Sequence, residues 1–348
     1  MHLIKRRLRM YPRETCCFVT FTLALTDLIR TGFTEDERRR IQVSTISKFL
    51  HQPFEAGFMV LDEVQDCKVG DLQKICAMAG TLVVAGDGDQ RIYDQGARDE
   101  DISRCLENPE IFELTEIHRL TQKIARAAKV ILPGSRILTA SIEDQNLKRG
   151  ADLRLFKYPD VRTEVTSVWK RALDMARAGE PAVVFFSHHD FIDTFIETLA
   201  PAINLKNPPA HPRKYDDVNG ESFNQFMADM KQPLAYYGNG FGSMEDSDER
   251  PMVYLMTYHS SKGLDFAHVF MPFLDRPDVP GHKEVSRELF FVAFTRSRFD
   301  LELSFSGARL SGLAGELVEQ GVLAVQEPPK PEAEVASRTD GEDDGFFF

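Results

Sequence analysis

The sequence predicts an α/β protein built on parallel sheets, and three observations carry that reading. Short apolar runs recur at 17–21, 58–61, 81–85, 182–186, 253–256 and 268–273. Continuous runs of this kind, without polar alternation, suit parallel strands covered on both faces. Between them lie stretches of helical period. Segment 118–131 places Leu120, Ile124, Ala128 and Ile131 on one face, and 163–178 does the same with Val165, Trp169, Ala172 and Ala176. Third, the two kinds of segment alternate along the chain, which is the mark of the α/β class.

The 348 residues allow two or three domains at roughly 100–200 residues each. Segment 132–152 reads as a joint between two lobes, giving a first lobe over 1–135 and a second over 136–325. The stretch 203–251 is rich in Pro, Gly, Asn and acids and has poor periodicity, so it reads as a loop-rich insertion. From 326 to 348 the composition becomes low in complexity and acidic, as in a disordered tail.

Apolar residues make up 43% and charged residues 28%, ordinary values for a globular protein. No apolar run reaches the ~18 residues of a membrane span. The first residues, MHLIKRRLRMYP, lack the apolar centre of a secretory leader. The five cysteines, Cys16, Cys17, Cys67, Cys76 and Cys105, form no C-x-x-C pair. Free thiols in a reducing, cytoplasmic setting are the expectation, with no structural zinc. The net charge is −12, of which residues 327–348 contribute −5 from seven acids and two bases. The remaining −7 argues against a broadly basic surface but leaves room for a local basic groove. Residues 1–13 carry Lys5, Arg6, Arg7, Arg9 and Arg13 and no acid.

Chemistry concentrates at strand ends. FMVLDEVQD (58–66) runs an apolar strand directly into Asp62 and Glu63. Two acids there can hold Mg²⁺ and orient a water, although acids after a buried strand also serve as helix caps. The next strand ends in GDGDQRIYDQG (86–96), where Gly86 and Gly88 permit a tight turn that presents Gln90 at the same sheet edge. Alone this is also an ordinary turn signature. Arg119 begins an amphipathic helix, and Arg296 follows the apolar stretch of SRELFFVAFTRSR (286–298). Arginines so placed are either solvated or charge stabilisers of phosphoryl transfer. VYLMTYHSSKGLDFAHVF (253–270) offers Thr257, His259, Ser261 and Lys262 as donors suited to phosphate oxygens.

In order, these segments resemble the UvrD/Rep family of superfamily 1 helicases. FVTFTLAL (18–25) is similar to motif Ia, LDEVQD to motif II, GDGDQRIY to motif III and LTEIHR to motif IV. TYHSSKGLDF is similar to motif V and RELFFVAFTRSR to motif VI. The resemblance spans residues 1 to about 305 and implies two RecA-like parallel-sheet lobes with ATP between them. It implies that Asp62 coordinates Mg²⁺, Glu63 activates water and Gln90 couples nucleotide state to DNA. Arg119 and Arg296 would meet the γ-phosphate and Asp265 the ribose. Thr20, Phe21, Thr45, Thr257, His259 and Lys262 would line a single-stranded DNA path, with Tyr93 stacking on a base.

Departures from the pattern bear on mechanism. The Walker A motif G-x-x-x-x-G-K-[ST] occurs nowhere in the chain, so a cradle of backbone N–H groups and its lysine are expected to be missing. A segment preceding Met1, a split gene and a degenerate helicase are the alternatives, and the first is preferred because the other nucleotide-facing residues are intact. After Tyr93 the family's aromatic–arginine pair is replaced by Asp94, Gln95, Gly96 and Ala97. Only 16 residues separate Thr45 from Asp62, so the 1B accessory subdomain is expected to be nearly absent, and any 2B equivalent confined to 203–251. The expected function is an ATP-dependent DNA helicase or translocase in incomplete form. The alternative is an inactive nucleic-acid-binding or partner-docking module, and an RNA-directed helicase is a third reading. The tip GEDDGFFF (341–348) suggests a protein partner held through Phe346, Phe347 and Phe348, or a tail folded back on the body.

Overall fold

A computed structural model describes residues 1–329 except 94, 115, 119, 136–140, 143–151, 213–221, 245, 277–284 and 311. The apolar runs form two all-parallel sheets, as the sequence predicts. The first contains β1 (Cys16–Thr20), β2 (Ile41–Thr45), β3 (Ala56–Leu61) and β4 (Ala79–Val84), in the order β2-β1-β3-β4. A small pair, β5 (Glu116–Ile117) and β6 (Ser141–Ile142), follows. The second sheet contains β7 (Leu153–Lys157), β8 (Ala182–Phe186), β9 (Leu234–Tyr236), β10 (Val253–Thr257), β11 (Phe266–Met271), β12 (Ser297–Phe305) and β13 (Val325–Gln326). Its order is β13-β7-β12-β11-β8-β10-β9.

Why strands such as β1 and β8 are apolar on both faces follows from the pleat, which sends successive side chains to opposite faces. In β1, Cys16 and Phe18 pack with Ile4, Leu8 and Ile29, while Cys17 and Val19 pack with Phe49, Met59 and Ile75 on the other side. In β8, Val183 and Phe185 join one core and Ala182, Val184 and Phe186 another. Helices therefore cover both faces, and truncating a fully buried residue such as Phe185 would cost ~3–5 kcal/mol. Helix starts are capped in the expected way. Thr22 accepts from Leu25 N at 3.3 Å and Asp160 from Thr163 N at 2.8 Å.

Two sequence expectations change. The helix Gln122–Ile131 packs through Ile124, Ala127, Ala128 and Ile131 into the core of the second sheet, beside Leu289, Phe290 and Leu317. Arg287 Nη1 also donates to Ile131 O at 3.0 Å. The apolar stripe of this helix, which the sequence reading put in the first lobe, is buried by the second sheet and not the first. The stretch 203–251 is not all loop. It supplies the helix Ser222–Asp229 and β9, with Phe223, Met227 and Tyr236 fully buried. Asn224 completes the outer edge of β9, where its Nδ2 donates to Tyr236 O at 2.9 Å and its Oδ1 accepts from Tyr236 N at 2.7 Å. An edge strand otherwise leaves such groups unpaired. Among the described residues no helix is long and apolar enough to cross a membrane.

Candidate active site between the two sheets

The carboxyl edge of the first sheet is level. Leu61 is in register with Val19 on one side and Val84 on the other. Asp62 N donates to Val19 O and Ala85 N to Leu61 O, both at 2.9 Å. The acids after β3 and the turn after β4 thus leave the sheet together, as strand ends in parallel sheets do where they build sites. Glu63 adopts a left-handed backbone, φ 55° and ψ 42°, unusual for a residue with a Cβ. It is fixed from above, since its Oε2 accepts from Gln65 Nε2 at 2.6 Å while Gln65 Oε1 accepts from Asp87 N at 3.1 Å. Strain of this kind, ~1–3 kcal/mol, concentrates at working sites.

Burial pushes the Asp62 carboxyl above its ordinary range, and the neighbouring charge of Glu63 adds to this. The Glu63 N–H, donating to Asp62 Oδ1 at 3.0 Å, and the charge of Lys262 oppose it. Two adjacent carboxylates, one of them desolvated, fit a hard divalent cation such as Mg²⁺, which needs only one or two protein carboxylates. Among the described residues no group of three or more His, Cys, Asp or Glu could hold a metal.

The second sheet reaches this edge through two buried cations. Arg296, 1% exposed, lies between the helix Arg287–Phe294 and β12. Its Nη2 donates to Gln90 Oε1 at 2.9 Å, while Nε donates to Val292 O at 2.8 Å and Nη1 to Leu264 O at 3.4 Å. Gln90 is held in turn by Nε2 donating to Asp87 Oδ2 at 2.9 Å. Lys262, also 1% exposed, pairs with Asp66 Oδ2 at 2.6 Å and Glu63 Oε2 at 3.5 Å, and donates to the Gln90 carbonyl. Asp66 is itself buried, which raises its carboxyl, with Lys262 pulling the other way. Asp62, Glu63, Gln90 and Arg296 are therefore gathered at one junction between the sheets. Arg119 lies outside the described residues.

Lys262 is placed differently from expectation. The sequence suggested a phosphate donor on the nucleic-acid path, but a buried lysine neutralised by two carboxylates is a clasp between the sheets. Asp265 also differs: its carboxylate is exposed and meets Arg298 Nε at 3.2 Å, and Arg298 is shared with Glu180. Thr20, Thr45 and Thr257 are buried. Thr45 caps a helix by accepting from Lys48 N at 3.2 Å, and the Thr257 and Ser260 hydroxyls lie 3.0 Å apart, so these hydroxyls organise the strand ends rather than face solvent. The Thr20 hydroxyl has no hydrogen-bond partner among the described residues.

Phe21, Tyr93 and His259 do come together. The rings of Phe21 and Tyr93 lie 4.7 Å apart and those of Tyr93 and His259 6.2 Å apart, joining the end of β1, the turn after β4 and the loop after β10. Burial pushes the Tyr93 phenol up to about 12, so it stays neutral. The sequence reading passed over Gln65 and Asp66. Their signal was present in LDEVQD, where two polar residues follow Val64 and yet are only 1% and 3% exposed.

Residues 218–307 match the family model of the UvrD-like helicase C-terminal domain. Among solved structures, the chain is similar to the C-terminal domain of a possible DNA helicase from Lactobacillus plantarum WCFS1. Identity there is 14% and the TM-score 0.39, over 60% of this chain and 99% of that one. It is also similar to the helicase of PRRSV, at 15% identity and a TM-score of 0.42, over 88% of this chain and 50% of that one. A third is the arterivirus nonstructural protein 10 (helicase) in complex with DNA, at 16% identity and a TM-score of 0.44, over 91% of this chain and 59% of that one. The chain thus spans about half to three-fifths of the two viral helicases. Curated protein sequences give no match. The matched span, 218–307, is the part of the chain that supplies His259, Lys262 and Arg296.

Proposed function

We propose that this chain is the motor core of an ATP-dependent DNA helicase or translocase of the UvrD/Rep type, acting on single-stranded DNA. The observation that supports the reading best is the hydrogen bond from Arg296 of the second sheet to Gln90 of the first, beside the acids that end β3. When bound, Mg²⁺–ATP supplies the phosphoanhydride whose hydrolysis drives such motors. Asp62 would hold the ion, and Glu63 would accept a proton from water. Gln90 joins the sheets through a side chain that a ligand can displace, so occupancy of the site and the fit of the two lobes are linked through it. Phe21, Tyr93 and His259 offer a line of rings for bases, where stacking gains ~1–3 kcal/mol each.

The test is ATP hydrolysis with and without single-stranded DNA, using the chain extended at its N-terminus by a Walker A segment. DNA-stimulated turnover is expected, with Glu63→Gln abolishing it while ATP binding persists. No DNA stimulation in the extended chain would count against the motor. The alternative is a nucleic-acid-binding or docking module without hydrolysis. On that reading the chain binds single strands and the extension restores nothing.

A further inference from the structure

The helix His2–Met10 buries Ile4 and Leu8 against the first sheet and turns a basic face outward. Arg6, Arg9, Arg13 and Arg39 are exposed and, among the described residues, their side chains have no hydrogen-bond or ion-pair partner. The last of them is tied to the helix by its neighbour, since Arg40 Nη2 donates to Leu8 O and Tyr11 O, both at 3.1 Å. Two of the nearby acids are already engaged: Glu14 pairs with Arg7, and Glu37 lies 4.0 Å from Lys5. Apolar groups interrupt the cations, with Leu3 55%, Met10 57% and Tyr11 45% exposed. In a protein of net charge −12 such a face attracts anions, and its large exposed side chains suit an occupant that is apolar as well.

One segment of this chain has that chemistry. Residues 327–348 carry seven acids and two bases, and Glu342, Asp343 and Asp344 stand directly before Gly345 and three phenylalanines. The other strongly exposed apolar stretch, Ile111, Phe112 and Leu114 at 74%, 78% and 98%, lies among Glu107, Glu110 and Glu113, which repel an acidic segment. Charge therefore selects the arginine face. Reach permits it: nineteen residues beyond Pro329 extend up to ~65 Å, against a radius of gyration of ~20 Å for a body of this length. We propose that segment 327–348 docks on the outer face of the helix His2–Met10 of the same molecule, its carboxylates on Arg6, Arg9 and Arg13 and its phenylalanines on Leu3, Met10 and Tyr11. Tyr11 and Arg13 precede β1 and Arg39 precedes β2, so the docked segment lies at the amino edge of the first sheet. The junction at the carboxyl edge stays open, and a competing polyanion would displace the segment.

The experiment is photo-crosslinking in the full chain with Phe347→p-benzoylphenylalanine, with crosslinked peptides mapped by mass spectrometry. An intramolecular crosslink to residues 3–13 is expected at low salt, and its loss near 1 M salt, where the Debye length falls to ~3 Å. Arg6→Glu, Arg9→Glu and Arg13→Glu together should remove it. Adding Glu342→Lys, Asp343→Lys and Asp344→Lys to that variant should restore it, which a merely misfolded helix would not permit. A crosslink elsewhere, a crosslinked dimer, or a crosslink unchanged in the arginine variant would overturn the proposal. So would the absence of a crosslink together with weaker oligonucleotide binding by the arginine variant, since the face would then belong to nucleic acid.

Discussion

Replacing Lys262 by Met tests whether this residue clasps the two sheets. The substitution keeps the length of the side chain and removes its charge. It strands Asp66, 3% exposed, and takes from Glu63 a cation at 3.5 Å. Breaking one side of a buried ion pair costs about 3–5 kcal/mol, whereas replacing both sides by apolar groups is often neutral. Urea unfolding can be followed through Trp169, the single tryptophan, 7% exposed in the core of the second sheet. With a slope of roughly 1–3 kcal/mol per molar, the midpoint should fall by about 1 M or more. The double variant Lys262→Met with Asp66→Leu should recover most of the loss. The sign of the pH effect follows from Asp66. Burial holds its folded carboxyl above the ordinary ~3.9, so its ionisation takes stability away as pH rises through the folded value. Removing Lys262 raises that value further, so the deficit should be greatest at neutral pH and shrink as pH falls toward ~4. A midpoint shift under ~0.3 M in Lys262→Met, or a double variant no better than the single, would refute the clasp.

Tyr93→Ala should weaken single-stranded DNA binding by ~1–3 kcal/mol, roughly five- to 150-fold in Kd by fluorescence anisotropy at fixed salt, whereas Asp265→Ala should not. Glu164 is buried and accepts from Phe273 N at 2.9 Å and Ser304 Oγ at 2.7 Å, so Glu164→Ala should cost ~1–3 kcal/mol in the same urea assay by leaving both donors unmet. Burial pushes the Cys17 and Cys67 thiols up to about 12, so neither should react with a disulfide reagent at pH 8 until the chain unfolds, which a timed thiol titration with peptide mapping would show.

What the sequence made legible, and what it hid, divides along one physical line. The strands read in advance were those with an unbroken apolar run, such as AVVFF in β8 and VYLMT in β10. The missed strands carry polar residues inside. β12 reads SRFDLELSF, yet Glu302 is buried because Arg171, 131 positions earlier, meets it at 2.6 Å, and Ser304 is buried because it donates to Glu164. β9 is three residues long between Pro233 and Gly238, too short for any period to show, and its edge is completed by a side chain twelve positions away. The junction follows the same rule. Asp62, Glu63, Gln90 and Arg296 were legible because each ends a strand or helix whose apolar pattern sets its place. The pairing of Lys262 was not legible because its partners lie some 200 positions earlier, on the other sheet. Local pattern reports which backbone is buried. It is silent about which distant charge has come to meet a buried lysine, and that pairing decides whether Lys262 binds a phosphate or the protein itself.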